Sequence, residues 1–249
     1  MIFDKPKRLI NENARPLLGL KKDKKDVRDH LSKNFTTITR HLLSEHSSFV
    51  KSQRVMNSCT AHSAMLVFEM EQRINDSWWK IEGSEQHNYY YSRIDSGIFP
   101  DDGGSYLRSA CKIMHQVGVC PEKLMPYIDY KPNYHPGIFA NSFSRFWKIK
   151  EYTRQIDLDS IKEAITNNHP VLLGIPVFNN WRGLIKNIIP LPSGRTIGGH
   201  AITVIGFDDS LGLFIQNSWG TNWGVNGKAW LPYEYLDNVS WFDAWSLQL

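Results

Sequence analysis

From Cys59 onward the chain takes up a helical rhythm, with Ala61, Ala64, Met65, Phe68 and Ile74 small or apolar at i, i+3, i+4 and i+7 spacings. A helix packed on a core is expected there, capped by Asn57 or Ser58, and this puts Cys59 in the first turn. A second helix is expected over 105–117. It presents Leu107, Ala110, Cys111 and Met114 on one face, follows the Asp101-Asp102-Gly103-Gly104 turn and closes at Gly118. A third is expected over 158–167, with Asp157 or Asp159 near its start and Ile161, Ala164 and Ile165 inward. After Pro170 the rhythm shortens into the runs VLLGIPVF, HAITVIGFDD, LGLFIQNSW and KAWLPYEYL, which read as strands. The second and third of these are joined by a Asp-Asp-Ser-Leu-Gly turn, so a hairpin is expected to return Asn217 toward His200. A helical first half and a β-rich second half make an α+β pattern with a seam between two lobes.

Residues 1–45 are polar and weakly periodic, which suggests an N-terminal extension rather than a core. The organised body is expected to span 46–249, with a helical lobe over about 50–145 and a β-rich lobe over about 146–249. At 249 residues and 41% hydrophobic, the chain can bury one large core or two modest ones.

The formal net charge is only +4, and KKDKKDVRD interleaves its signs, so no nucleic-acid partner is expected. The most apolar stretches, 171–178 and 201–207, are of strand length and too short to span a bilayer, so no membrane partner is expected either. The start, MIFDKPKRLI, lacks the apolar run of a signal peptide, and a cytoplasmic or otherwise intracellular protein is expected. Three cysteines cannot all pair. Cys111 and Cys120 are expected to be free thiols, which suits a reducing compartment. Cys111 and His115, at i and i+4, could begin a metal clip, but no further ligands fall in pattern, and neither metal nor cofactor is expected.

The chemistry is carried by an ordered set of side chains. A thiol attacks a carbonyl as thiolate, and a helix N-terminus offers both the positive end of the dipole and unpaired N–H groups, which is where Cys59 falls. An imidazole can take the thiol proton and later give it to a leaving amine, and His200 is the candidate. That ring needs a partner to hold its orientation and tautomer, for which Asn217 is available. The developing oxyanion needs fixed donors, the Cys59 N–H and the side-chain amide of Gln53. Cys59 precedes His200 by 141 residues and His200 precedes Asn217 by 17, within the Cys-to-His interval of papain-like enzymes.

The Gln53-to-Cys59 spacing, the GGHA around His200 and the NSWGTNWG from Asn217 to Gly224 together resemble the three signature blocks of papain and the cathepsins. The resemblance covers about 46–249. It implies a papain-like two-lobe α+β fold, with a helical left lobe, an antiparallel β-barrel-like right lobe and the active site in the cleft between them. Carried over residue by residue, Cys59 resembles the nucleophile, His200 the base and acid, Asn217 the orienting residue and Gln53 the oxyanion donor. Trp219 matches the indole that shields the His–Asn contact. Gly103 and Gly104 resemble the segment that pairs with an extended substrate, and Gly174 and Ala201 are expected to line the principal side-chain pocket.

The sequence departs from the secreted members of that family at Thr60 and His62, which replace the usual aromatic-containing block, and at Met56, which stands where they carry a half-cystine. The cleft disulfide is therefore expected to be absent, and the chain is more similar to a compact, disulfide-poor microbial branch. The 45-residue extension is shorter than the usual helical inhibitory propeptide and is expected to pack on the body or cross the cleft. The implied activity is a cysteine peptidase acting on peptides or proteins. The alternatives are an acyl transferase or deamidase using the same thioester, or a catalytically silent binding module.

Overall fold

The computed structural model describes residues 18–24 and 37–249. Its elements in chain order are β1 (Leu20–Lys21), β2 (Arg40–Leu42), α1 (Cys59–Ile74), α2 (Glu85–Asp95), β3 (Ser105–Tyr106), α3 (Leu107–Gln116) and α4 (Ile138–Ser144). They continue with β4 (Glu151–Gln155), α5 (Leu158–Thr166), β5 (Val171–Phe178), β6 (Thr196–Asp208), β7 (Gly212–Gln216), β8 (Lys228–Leu231), α6 (Tyr233–Asp237) and β9 (Asp243–Gln248). The three expected helices form, the second only from Leu107 because Ser105–Tyr106 pair as β3. Each of the four expected runs gives a strand, but KAWLPYEYL turns at Pro232 from β8 into α6, and β1, β2, α2, α4, β4 and β9 are additional. The α+β class holds.

The main sheet runs β4-β9-β5-β6-β7-β8, antiparallel throughout, with β2 added against β6. Among the described residues its end strands β4 and β8 do not pair, so the barrel-like sheet of the right lobe is open rather than closed. Arg40–Leu42, inside the stretch that looked like an extension, is already part of this sheet.

β5 shows why its sequence is a continuous apolar run. Val171, Leu173, Ile175 and Val177 pack in the core of the β-rich lobe, while Leu172 faces the other way into a second cluster with Met65, Phe68, Leu107 and Met114 of α1 and α3. A strand buried on both faces has no polar side to alternate. Gly174 shares the face of Leu172, two residues on, and is thereby brought to the seam between the lobes.

α1 lies in that seam and is enclosed on every side, every residue from Cys59 to Gln72 being buried. It is not the one-faced amphipathic helix its spacing suggested, because its polar side is covered by α2 and the loops around it. Polar groups there are satisfied locally. Lys51 Nζ lies 2.9 Å from Glu69 and 2.6 Å from Glu85, and His169 Nδ1 lies 2.9 Å from Glu71. Removing one member of such a buried set strands the rest, at a cost of about 3–5 kcal/mol. Among the described residues no helix is long and apolar enough to cross a membrane.

Candidate active site

Cys59 is the first residue of α1, with Ser58 at the cap, so its N–H lacks an intrahelical partner and is aimed out of the helix end. Its sulfur faces the backbone N–H groups of Ala201 and Gly19 as well as those of Cys59 and Thr60. These donors favour thiolate. Complete burial outweighs them and pushes the thiol up.

His200 sits in the middle of β6, opposite Ile175 of β5, and Asn217 follows directly after β7. The β6–β7 hairpin brings them together as expected. His200 Nε2 and Asn217 Oδ1 are 2.8 Å apart, which requires the imidazole to carry its proton on Nε2, since an amide oxygen can only accept. Among the described residues Nδ1 has no hydrogen-bond partner and is therefore the nitrogen available to take a proton. Asn217 is itself held, its oxygen accepting from the Ser218 N–H at 2.7 Å and its own N–H donating to Gly227 O at 2.9 Å. The Trp219 ring lies 4.8 Å from the imidazole, centroid to centroid, and Trp181 meets it edge-on at 6.2 Å. Both exclude water from the His–Asn bond. In this dry setting burial lowers the His200 pKa to about 4, against the opposing pull of Asn217. Both reacting groups are thus held neutral.

Gln53 is fully buried and fixed at both ends of its amide, with Nε2 donating to Met56 O at 2.9 Å and Oε1 accepting from Ser218 Oγ at 2.8 Å. Tyr127 OH donates to Gln53 O at 2.8 Å and contacts Ser58 Oγ at 2.6 Å, tying this loop to the cap of α1. His62, one turn below Cys59, is held by the helix cap and Tyr127. Its Nδ1 lies 3.0 Å from Ser58 O, its ring packs edge-on against Tyr127 at 4.8 Å, and burial lowers its pKa to about 3. His115, one turn after Cys111, turns its Nδ1 to Ile149 O at 3.1 Å. All three cysteines are free.

Residues 18–24 lie across the cleft. β1 pairs with β3 in parallel, Leu20 opposite Ser105, and the Ser105 N–H donates to Gly19 O at 2.9 Å. Gly19 therefore presents its N–H to the Cys59 sulfur and its carbonyl to the far wall. Glycines on both walls allow this approach. A Cβ on Gly104 would lie 1.3 Å from Gly19 O, and one on Gly199 2.6 Å from Leu20 O. The Leu20 side chain fills the hollow in front of Gly174, where a Cβ would come within 2.4 Å of it, beside Leu107 and Ala201. Gly104, Gly174, Ala201 and Trp219 thus gather around Cys59 and His200. A Cβ on Gly103 would meet Ile98 instead and not the strap.

The extension was expected to pack on the body or cross the cleft, and residues 18–24 do lie there, but Trp181, Tyr127 and Ser218 were not expected at the site. Leu17-Leu18-Gly19-Leu20 is one of a few short apolar runs in a largely polar extension. Trp181 and Tyr127 carry no periodic signal and are placed by tertiary packing.

Comparison with known proteins agrees with this geometry. The family model described as papain family cysteine protease matches residues 40–235, which begins at β2. Xylellain, a cysteine protease from Xylella fastidiosa, superposes with a TM-score of 0.85 at 29% identity over 93% of this chain and 95% of its own. An uncharacterized peptidase C1-like protein of Acanthamoeba polyphaga mimivirus is 29% identical over 79% of this chain and 68% of its own length. Papain from Carica papaya is 29% identical over 72% of this chain, which spans 49% of papain's length. The digestive procathepsin L2 of Tenebrio molitor shares the fold, with a TM-score of 0.68 at 18% identity over 86% of this chain and 69% of its own. With Cys59 at a helix end, His200 and Asn217 bonded beneath a tryptophan and the matched model spanning both lobes, the chain belongs to the papain family of cysteine proteases.

Proposed function

We propose that the protein cleaves peptide bonds through a thioester on Cys59, with His200 as base and then acid. Asn217 orients the ring, and the Cys59 N–H with the Gln53 amide supplies the oxyanion donors. The observation that carries this reading is the 2.8 Å His200–Asn217 bond beneath Trp219, which leaves Nδ1 as the proton acceptor. The sulfur adds to the peptide carbonyl carbon and its proton passes to His200. As the C–N bond breaks, that proton goes to the departing amine. Water then attacks the thioester, returns a proton to His200, and the C–S bond breaks to release the acid and restore the thiol.

The substrate is read as an extended peptide laid along Gly103-Gly104, with one apolar side chain in the hollow at Gly174 and Ala201. Leu20 occupying that hollow supports a preference for a leucine-sized group. The same contact supports an inhibitory role for residues 18–24, which put an N–H rather than a reactive carbonyl at the sulfur. Three free thiols suit an intracellular, reducing setting.

Cys59→Ala is expected to lose hydrolysis of fluorogenic peptides, and a thiol-directed epoxide is expected to label Cys59 alone. Both are measured in the intact chain and in a Leu20→Glu background that unseats the strap. Full activity in the Cys59→Ala protein, or labelling at Cys111 or Cys120, would overturn the proposal.

A further inference from the structure

On the surface of the helical lobe, five aromatic rings touch in sequence. Trp78 meets Trp79 at 5.2 Å, Trp79 meets Trp147 at 6.1 Å, Trp147 meets Phe146 at 6.1 Å and Phe146 meets Phe143 at 5.9 Å, centroid to centroid. Phe139 extends the row, one turn before Phe143 on α4. Trp147 is half-buried and anchors the row, but the others stand in solvent, Trp78 at 90%, Phe146 at 75%, Phe139 at 73% and Trp79 at 57% exposure. A contiguous exposed apolar surface of this kind marks a binding face. It shares no residue with the site built on Cys59 and His200, and cleavage of a peptide makes no use of it.

Charge decides what the surface fits. Residues 130–150 contain Lys131, Arg145, Lys148 and Lys150 and no aspartate or glutamate. Arg145, Lys148 and Lys150 are exposed and none makes an ion pair among the described residues. The nearest carboxylates are mostly engaged: Asp76 is tied to Lys80 at 3.1 Å, Glu82 to Lys51 at 3.3 Å and Asp129 to Arg54 at 3.8 Å. Glu122 lines a hollow beside Trp79 together with Lys80 and Lys123, and Glu151 follows Lys150. Tryptophan and phenylalanine are the side chains that settle at the boundary of a bilayer, and unpaired cations beside them are drawn to anionic headgroups. Protruding rings also penetrate a soft surface more readily than they fill a rigid partner. The lack of a spanning helix has no bearing here, since lying on a membrane needs only an exposed apolar face with cations around it.

We propose that Trp78, Trp79, Phe139, Phe143 and Phe146, with Arg145, Lys148 and Lys150, form a peripheral docking face for an anionic lipid surface. The test is co-sedimentation of the full chain with phosphatidylcholine vesicles, with and without phosphatidylserine. The protein is expected to sediment with the phosphatidylserine vesicles, to lose that binding as salt is raised, and to show a blue-shifted tryptophan emission when bound. The double variants Trp78→Ala/Phe146→Ala and Arg145→Glu/Lys148→Glu should each weaken binding at least tenfold. These side chains are solvent-exposed, so hydrolysis of a soluble peptide and thermal unfolding should stay as in the parent. No sedimentation with either vesicle, or sedimentation that neither variant reduces, overturns the proposal. So does a concentration-dependent dimer, seen by analytical ultracentrifugation and abolished by Trp78→Ala/Phe146→Ala in a chain that ignores vesicles, because the occupant is then a second copy.

Discussion

The backbone N–H of Asp23, in the strap, donates to a carboxylate oxygen of Asp243 on β9 at 2.6 Å. The Asp23 carboxylate in turn accepts from the Arg108 N–H at the start of α3 at 2.9 Å. Two carboxyl groups are therefore buried close together where the strap leaves the cleft, and Arg154 is paired with Asp243. Burial first and the neighbouring Asp243 second push the Asp23 pKa up to about 7, with Arg108 and Arg154 opposing.

The sign of the pH dependence follows from that shift. With the strap docked Asp23 prefers its proton, whereas released it has an ordinary carboxylate pKa near 3.8. Docking is therefore fully supported below about pH 4 and loses that support as the pH rises toward about 7. Peptidase activity of the full chain is expected to rise over this interval more steeply than that of the Leu20→Glu protein. Asp23→Asn, which is neutral throughout, should keep the strap seated and flatten the difference. Parallel pH profiles for all three proteins would refute it.

Leu20→Glu places a charge in the apolar hollow at Gly174 and Ala201, against Leu107. Expelling the strap rehydrates the site, which should let Cys59 and His200 form their ion pair. Alkylation of Cys59 by iodoacetamide and hydrolysis of a leucine-containing peptide should both accelerate. An unchanged alkylation rate would mean the strap does not control access.

Asn217→Ala removes the acceptor that selects the Nε2–H tautomer of His200. A lower kcat with little change in KM is expected, since the bond matters when the ring moves a proton rather than when the peptide binds. His200→Ala should lose roughly 10²–10⁴-fold, the span of general acid–base catalysis. Steady-state kinetics in the strap-released background separates the two.

Asp157 and Ser160 form a reciprocal capping box at the start of α5, with Ser160 N donating to Asp157 Oδ1 at 2.8 Å. Asp157→Ala should destabilise the protein by about 1 kcal/mol without touching catalysis. Thermal or urea unfolding, followed beside peptide hydrolysis, measures both.

How much of this was legible in the sequence depends on where the determining contacts lie. β5 was readable end to end, because a strand buried on both faces writes an uninterrupted apolar run closed off by Pro170. α3 and α5 were readable because their apolar spacing and their Gly118 and Asp157 ends are local. α2 was not, since Glu85, Gln86, His87, Asn88 and Arg93 are buried in it. Their partners are distant, such as the backbone carbonyls of Pro100 and Asp101 for Arg93 and that of Ala110 for Asn88. The grouping of Cys59, His200 and Asn217 was visible through the order and spacing of specific blocks. That the extension packs on the body or crosses the cleft was legible, but not which residues do so, because the path of Gly19 and Leu20 is set by Gly104, Gly174 and Gly199 on elements far along the chain.

The strap and the Cys59 thiol belong to one polypeptide, and the proposed inhibition therefore implies a particular kinetics of activation. A tethered segment competes at a local concentration of order millimolar, which dilution does not change. Activity gained because the strap lets go should thus appear with a first-order time course, independent of protein concentration. Activity gained because one molecule cuts the strap of another should instead accelerate with concentration, and an assay at two dilutions tells them apart.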